Sequence, residues 1–239
     1  MINKTFYSIF QQASRTYFYS SLFFPTHVKQ DVFQFYGFFR KADNFVDSIP
    51  QDHHGFQKFK AHYYQARERH PSGDIVIDSF VQLAEKKDIT DAWVDAFFSA
   101  MEQDLTKKTY KTIHETIAYM YGSAEVIGLI MAKIMSLPEE SYPFSRYLGR
   151  AMQYINFSRD IAEDGTLGRI YLPSEEMQHQ GLSMLGYEEA MGNPEGFTSF
   201  IRQQIDRYYR WQEIAQKGYK YIPKRYLISV KTAADMYQW

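Results

Sequence analysis

Two short stretches carry the residue types best suited to chemistry. "FFRKADNFVD" (38–47) and "FSRDIAEDG" (157–165) each set two aspartates four positions apart, Asp43/Asp47 and Asp160/Asp164, behind an arginine, Arg40 or Arg159. On a helix that spacing puts both carboxylates on one face, a turn apart. Oxygen-only donors in this arrangement suit a hard cation such as Mg²⁺, which takes one or two carboxylates and completes its shell with water and phosphate oxygens. Two facing pairs could hold several ions around one diphosphate, with Arg40 and Arg159 neutralising the remaining phosphate charge. Spacing alone leaves a second reading open, acids on a wet helix face.

The elements that must position these residues read as helices. Winding residues 28–48 at roughly 100° each puts Tyr36, Arg40, Asp43 and Asp47 within about 60° of one another. Val28, Val32, Phe35, Phe39, Ala42 and Val46 form the neighbouring apolar stripe, while Gln30, Gln34, Lys41, Asn44 and Ser48 make a separate polar sector. The acids therefore border the core although another face is available for solvent. In "GRAMQYINFSRDIAEDG", Gln153, Asn156, Arg159, Asp160, Glu163 and Asp164 fall on one lysine-free face, as on any amphipathic helix.

Helical periodicity recurs along the whole chain and strand signals are scarce. Pro25 opens a helix expected to run to Asp47 and to close before Pro50; "HPSGD" (70–74) is a turn; "DITDAW" (88–93) starts another helix. "TIHE" (112–115) has capping-box spacing, "SLPEESYP" (136–143) is a break, and the next helix is expected to reach Asp164 before a loop, "GTLGRIYLP" (165–173). The expectation is one all-α domain over residues 1–239, built from about eight to ten helices.

Bulk composition narrows the function classes. With 239 residues and 45% hydrophobic content the chain can bury a real core. A net charge of −1 argues against a partner held by bulk charge, such as duplex nucleic acid. The absence of cysteine excludes disulfides, thiolate metal sites and cysteine nucleophiles. Aromatic residues reach 18%, which suits a ring-rich core or a cavity for a large apolar guest. No signal peptide is read at the N-terminus, the longest apolar run, near "VIGLIMAKIM", is too short to span a bilayer, and no amphipathic anchor with a basic face is evident. A soluble cytoplasmic protein is expected, peripheral at the membrane at most.

"SRTYFYSSLFFP", "FYGFFRKADNFVD", "YMYGSAEVIGLIM" and "YINFSRDIAEDGTLGRIYLP" resemble, in order and spacing, the motifs of the squalene/phytoene synthase family, from about Ser14 to the end of the chain. "GSAEVIG" is most similar to the phytoene synthase branch. The resemblance implies a helical isoprenoid-synthase fold with a central cavity. It implies Mg²⁺ (or Mn²⁺) at Asp43, Asp47, Asp160 and Asp164, and diphosphate-binding positions at Ser14, Arg15, Thr16, Tyr36, Arg40, Gln153, Asn156, Arg159, Arg169 and Tyr171. Tyr119 and Tyr237 match tyrosines near the reacting carbons, so Tyr119, Tyr237, Arg40 and Arg159 are the implied catalytic set. The implied reaction condenses two prenyl diphosphates, farnesyl or geranylgeranyl, head to head through a cyclopropylcarbinyl diphosphate to phytoene, dehydrosqualene or squalene. NADPH is needed only where the product is squalene. Asn44 stands where the family often has another acid, and "GTL" after Asp164 lacks the basic residues many members carry. The chain is also expected to stop short of the family's last helix.

Two rival readings come from other classes. "EMQH" (176–179) has the Glu-x-x-His spacing of a carboxylate-bridged di-iron bundle, but such a site needs two copies and one is present. The other is a non-catalytic scaffold or assembly factor that keeps the fold. Retention of all four aspartates favours catalysis.

Overall fold

In the computed structural model, which describes residues 2–237, fourteen α-helices follow one another. They are α1 (Lys4–Ala13), α2 (Arg15–Ser21), α3 (Thr26–Asp47), α4 (His53–Arg67), α5 (Ile75–Lys86), α6 (Asp91–Thr106) and α7 (Ile113–Met120). Then come α8 (Val126–Ile134), α9 (Tyr142–Arg159), α10 (Ile161–Thr166), α11 (Ser174–His179), α12 (Tyr187–Gly192), α13 (Pro194–Gln216) and α14 (Lys224–Met236). The count exceeds the expected eight to ten because loops contain one- and two-turn helices, α10 to α12, and because Ser14 and a π turn divide longer helical stretches, none of which periodicity over a long window resolves. Among the described residues extended pairing is limited to an isolated parallel bridge, Thr109 with Ile170.

The boundaries follow local chemistry. Pro25 precedes α3, supplying a fixed φ and losing no needed N–H, and the chain leaves the helix at Ser48 ahead of the cis Ile49–Pro50 bond. Thr112 caps α7 by accepting from the Glu115 N–H at 3.2 Å, as its spacing predicts. The return half of the box is altered, since Glu115 accepts from the Lys111 N–H at 3.3 Å and from Lys107 Nζ at 2.9 Å.

Two compact units are formed. One takes the described residues up to Val94, Leu129–Tyr142 and those from Gly218 onward. Its core is aromatic: Phe38 stacks on Phe80 at 4.0 Å and meets Phe59 and Tyr63 at 5.1 and 5.3 Å. Each buried ring contributes roughly 1.5–3 kcal/mol, so the aromatic excess is in good part structural. The apolar stripe expected for α3 (Val28, Val32, Phe35, Phe39, Ala42, Val46) is buried throughout. Buried Asp31 is tied to α5 and its C-cap by Lys86 at 2.7 Å and Lys87 at 3.4 Å.

The other unit comprises Asp95–Gly128 and Pro143–Lys217. Between α7 and α8 the helix widens into a π turn, Tyr121–Glu125. Gly122 is required there, since a Cβ would lie 2.1 Å from the Ala96 carbonyl oxygen. Glu125, wholly buried, is held by Arg146 Nε at 2.8 Å and Arg150 Nε at 2.7 Å. The continuous helix Ile113–Ile134 corrects the expectation that no segment is long enough for a bilayer: by length and composition it qualifies. More than half of its most apolar stretch is buried within the fold, and a double ion pair sits mid-helix.

Candidate active site

The first acid pair stands on unbroken helix. Tyr36, Arg40, Asp43 and Asp47 climb successive turns of α3, and Arg40 Nη1 donates to Asp43 Oδ2 at 2.8 Å. Arg40 Nε is buried with no hydrogen-bond partner. The Tyr36 ring stacks on Phe10 of α1 at 3.7 Å. Burial pushes its phenol up to about 12, assisted by the charge of Asp43 and by Tyr237, while Arg40 and a hydrogen bond with Ser14 oppose. Ser14 breaks α1 from α2 in extended conformation and caps α2, its Oγ accepting from the Tyr17 N–H at 3.3 Å. Tyr237 ends α14, its ring 5.7 Å from that of Tyr17. Of the sequence-predicted residues, Ser14, Tyr36, Arg40, Asp43 and Tyr237 are thus brought together. Exposed Arg15 and half-buried Thr16 follow Ser14 on α2, and exposed Asp47 lies one turn beyond Asp43.

The second pair lies at a break. The helix expected to reach Asp164 stops at Arg159, because Asp160 (φ −98°, ψ 18°) leaves helical geometry and starts α10. Two backbone bonds bridge the interruption, Asp160 N–H to the Asn156 carbonyl and Asp164 N–H to the Asp160 carbonyl, both 2.8 Å. Asp164 in turn accepts from the Leu167 and Arg169 N–H groups at 3.1 and 2.9 Å, a turn closed by Gly168 at φ 67°. Arg159 grips Asp160 with both prongs at 2.6 Å. Half-buried Gln153 and Asn156 precede it on α9, and the buried Oδ1 of Asn156 has no hydrogen-bond partner.

Three further predicted residues meet in a buried knot. Tyr119 donates to Asp104 Oδ2 at 2.7 Å, Tyr171 donates to Asp104 Oδ1 at 2.8 Å, and Arg169 Nη1 donates to the Tyr171 hydroxyl at 3.1 Å. Tyr171 stacks between Phe157 at 4.5 Å and Tyr119 at 5.1 Å. Burial first, then the Asp104 charge, pushes both phenols far above the ordinary tyrosine range, so both are neutral donors. Asp104 was not singled out from the sequence. It follows Val94, Phe97, Phe98 and Met101 at helical spacing, so a wheel drawn for α6 places an acid on its core stripe. Such an acid is the signal that would have revealed it.

Among the described residues no group of three or more His, Asp or Glu side chains is assembled that could hold a metal ion. A metal at either aspartate pair must therefore take most of its shell from water and phosphate oxygens. Pairs of carboxylates with oxygen donors alone fit that kind of binding. The Glu-x-x-His rival fares worse: Glu176 is committed to Arg207 at 2.7 Å and to Gln203 at 3.0 Å.

Solved structures with this arrangement of helices include a squalene synthase and a dehydrosqualene synthase. A squalene synthase from Alicyclobacillus acidocaldarius superposes with a TM-score of 0.85 at 19% identity, over 98% of this chain and 89% of that one. A dehydrosqualene synthase bound to a ligand gives 0.85 at 20% identity, over 98% and 82%. The fold is therefore that of the helical isoprenoid synthases. In sequence, the 15-cis-phytoene synthase of Pantoea ananas is 24% identical over 237 residues, 94% of this chain and 76% of that protein. The family model for squalene/phytoene synthase matches residues 10–239, and the chain belongs to that family of head-to-head prenyltransferases.

Proposed function

We propose that the protein, acting as one catalytic domain, condenses two farnesyl or geranylgeranyl diphosphates head to head. The route runs through a cyclopropylcarbinyl diphosphate to a linear hydrocarbon of the phytoene or dehydrosqualene kind. One observation carries this beyond family membership: both aspartate pairs are intact, and each has an arginine bonded to its first acid. Bound at Asp43, Asp47, Asp160 and Asp164, Mg²⁺ would supply Lewis-acid stabilisation of the charge growing on the leaving oxygen.

The chain's own residues do the rest. Arg40 and Arg159 present guanidinium donors to diphosphate oxygens, Arg40 through a buried Nε that lacks any other partner. Gln153 and Asn156 orient the second diphosphate on the α9 face. Tyr36 and Tyr119 stay neutral at working pH. Tyr119 spends its proton on Asp104 and its ring lies against Tyr171, so its part is to hold a neutral, ring-lined wall in place beside a carbocation. A phenol held so firmly neutral is a poor base, so the final proton loss goes to another acceptor.

The test is direct. Purified protein with Mg²⁺ and each prenyl diphosphate is expected to release diphosphate and form a hydrocarbon identified by mass spectrometry, without NADPH. Hydrocarbon formed only with NADPH would reassign the product to squalene. Folded protein that releases no diphosphate from either chain length would favour the scaffold reading.

A further inference from the structure

The amino-terminal thirty residues contain no aspartate or glutamate, and neither does the segment 218–234. Together they hold seven of the 27 lysines and arginines, leaving 20 bases against 28 acids elsewhere. The two segments fold onto each other within one compact unit. α14 runs antiparallel along α2, with Tyr237 against Tyr17 at one end and Tyr226 against Phe24 at 6.2 Å at the other. α1 closes on α2 through Tyr7 and Phe10, whose rings lie 5.2 and 6.0 Å from Phe18. Lys4, Arg15, Lys220, Lys224, Arg225 and Lys231 are exposed, and Asp235, the first acid after the segment, is paired with Lys231 at 2.7 Å. Among these cations stand side chains that elsewhere in this protein are core. Tyr19, Phe23 and Ile228 are 57, 59 and 57% exposed, and Leu22 is exposed beside them. By the antiparallel register Leu22 and Phe23 lie level with Ile228.

We infer that α1, α2, the α2–α3 turn and α14 form a docking face for an anionic lipid bilayer, with Leu22, Phe23 and Ile228 entering the acyl boundary and Lys4, Lys220, Lys224, Arg225 and Lys231 lying on the headgroups. Charge and apolarity together select this partner. Each cation near an anionic surface strengthens binding by about fivefold, and exposed aliphatic and phenyl groups gain by entering hydrocarbon. Against nucleic acid the cations alone would serve, and Leu22 and Ile228 would be idle. Net charge conceals this face, because the excess is cancelled by acids elsewhere. The inference deepens the proposed function, on which it rests only for its purpose: a hydrocarbon product needs a bilayer to leave into, and the face adjoins Tyr36 and Tyr237.

The experiment uses the full chain without substrate, cosedimented with vesicles of phosphatidylglycerol and phosphatidylcholine in equal parts, or of phosphatidylcholine alone, at low and high salt. Expected is binding to the anionic vesicles, weakened by salt. The pair Lys224→Glu with Arg225→Glu should lose more than about tenfold in affinity, and Phe23→Ser with Ile228→Ser a similar factor. Melting curves check that the variants fold, and activity on detergent-dispersed prenyl diphosphate, measured without vesicles, should be unchanged in all of them. No binding to anionic vesicles at low salt would overturn the inference, as would binding that neither variant pair alters. Capture by a single-stranded DNA homopolymer as strong as by vesicles, and insensitive to the apolar pair, would overturn it in favour of a polyanion site. Activity and vesicle binding are read separately, so failure of one is not failure of the other.

Discussion

The two aspartate pairs share a spacing and differ in almost everything that fixes it. Asp43 and Asp47 ride an uninterrupted helix of 22 residues whose apolar stripe is buried, so packing sets their direction. Asp160 and Asp164 straddle a helix break and are aimed by backbone bonds: Asn156 to Asp160, Asp160 to Asp164, Asp164 to Arg169. The first pair has one prong of an arginine a turn away, the second both prongs of its immediate neighbour. One site is held by side-chain packing and the other by a folded stretch of main chain, although the sequence writes both as Asp-x-x-x-Asp.

The strongest challenge to that comparison is to remove one acid from each. Asp43→Asn and Asp160→Asn should each lower turnover by about 10²–10³-fold, as loss of preorganised charge stabilisation does elsewhere, with melting temperature little changed. An effect confined to one of them, read by diphosphate release, would mean that only one pair does chemistry. Asp104→Asn probes the support behind the second region. It replaces a buried carboxylate that accepts two tyrosine hydroxyls, and should cost about 2–4 kcal/mol in a denaturant melt.

Tyr36 sharpens the first region. Its phenol is raised from near 10 to about 12, so the neutral form is favoured by the fold. Ionising it therefore costs more in the fold than in the unfolded chain, and wild type should lose up to about 2–3 kcal/mol as pH rises from about 10 through about 12. Tyr36→Phe, with no phenol to ionise there, should not show that share of the loss in alkaline melts. The smallest effect is expected from Gly168→Ala, which forces a Cβ into left-handed conformation at about 1 kcal/mol. It should weaken substrate saturation, seen as a raised KM, through the Asp164 turn alone.

Legibility in the sequence followed the same division. Where side-chain periodicity decides the structure, as in residues 26–47 or at the Thr112 cap, the elements could be read directly. The break at Asp160 could not, since Asp160 looks like any polar residue on a helix face and only its φ and ψ betray it. Asp104 was legible in principle but lay outside any motif. The π turn leaves no periodic trace. The basic face escaped because its charges lie in two segments nearly two hundred residues apart, and a search for one amphipathic helix cannot sum them. The four aspartates and their arginines stood out because chemistry constrained residue type and spacing together.

The widened turn at Tyr121–Glu125 carries a residue more than an ordinary coil would need. Deleting a single amino acid there would let the coil close to ordinary helical pitch while the segments on either side keep their facing. Only the residues inside the wide turn would be re-aimed, Glu125 with its two guanidinium partners among them. The surplus residue is thus a local device for directing side chains, and it is Gly122 that lets the wide coil lie against its neighbour.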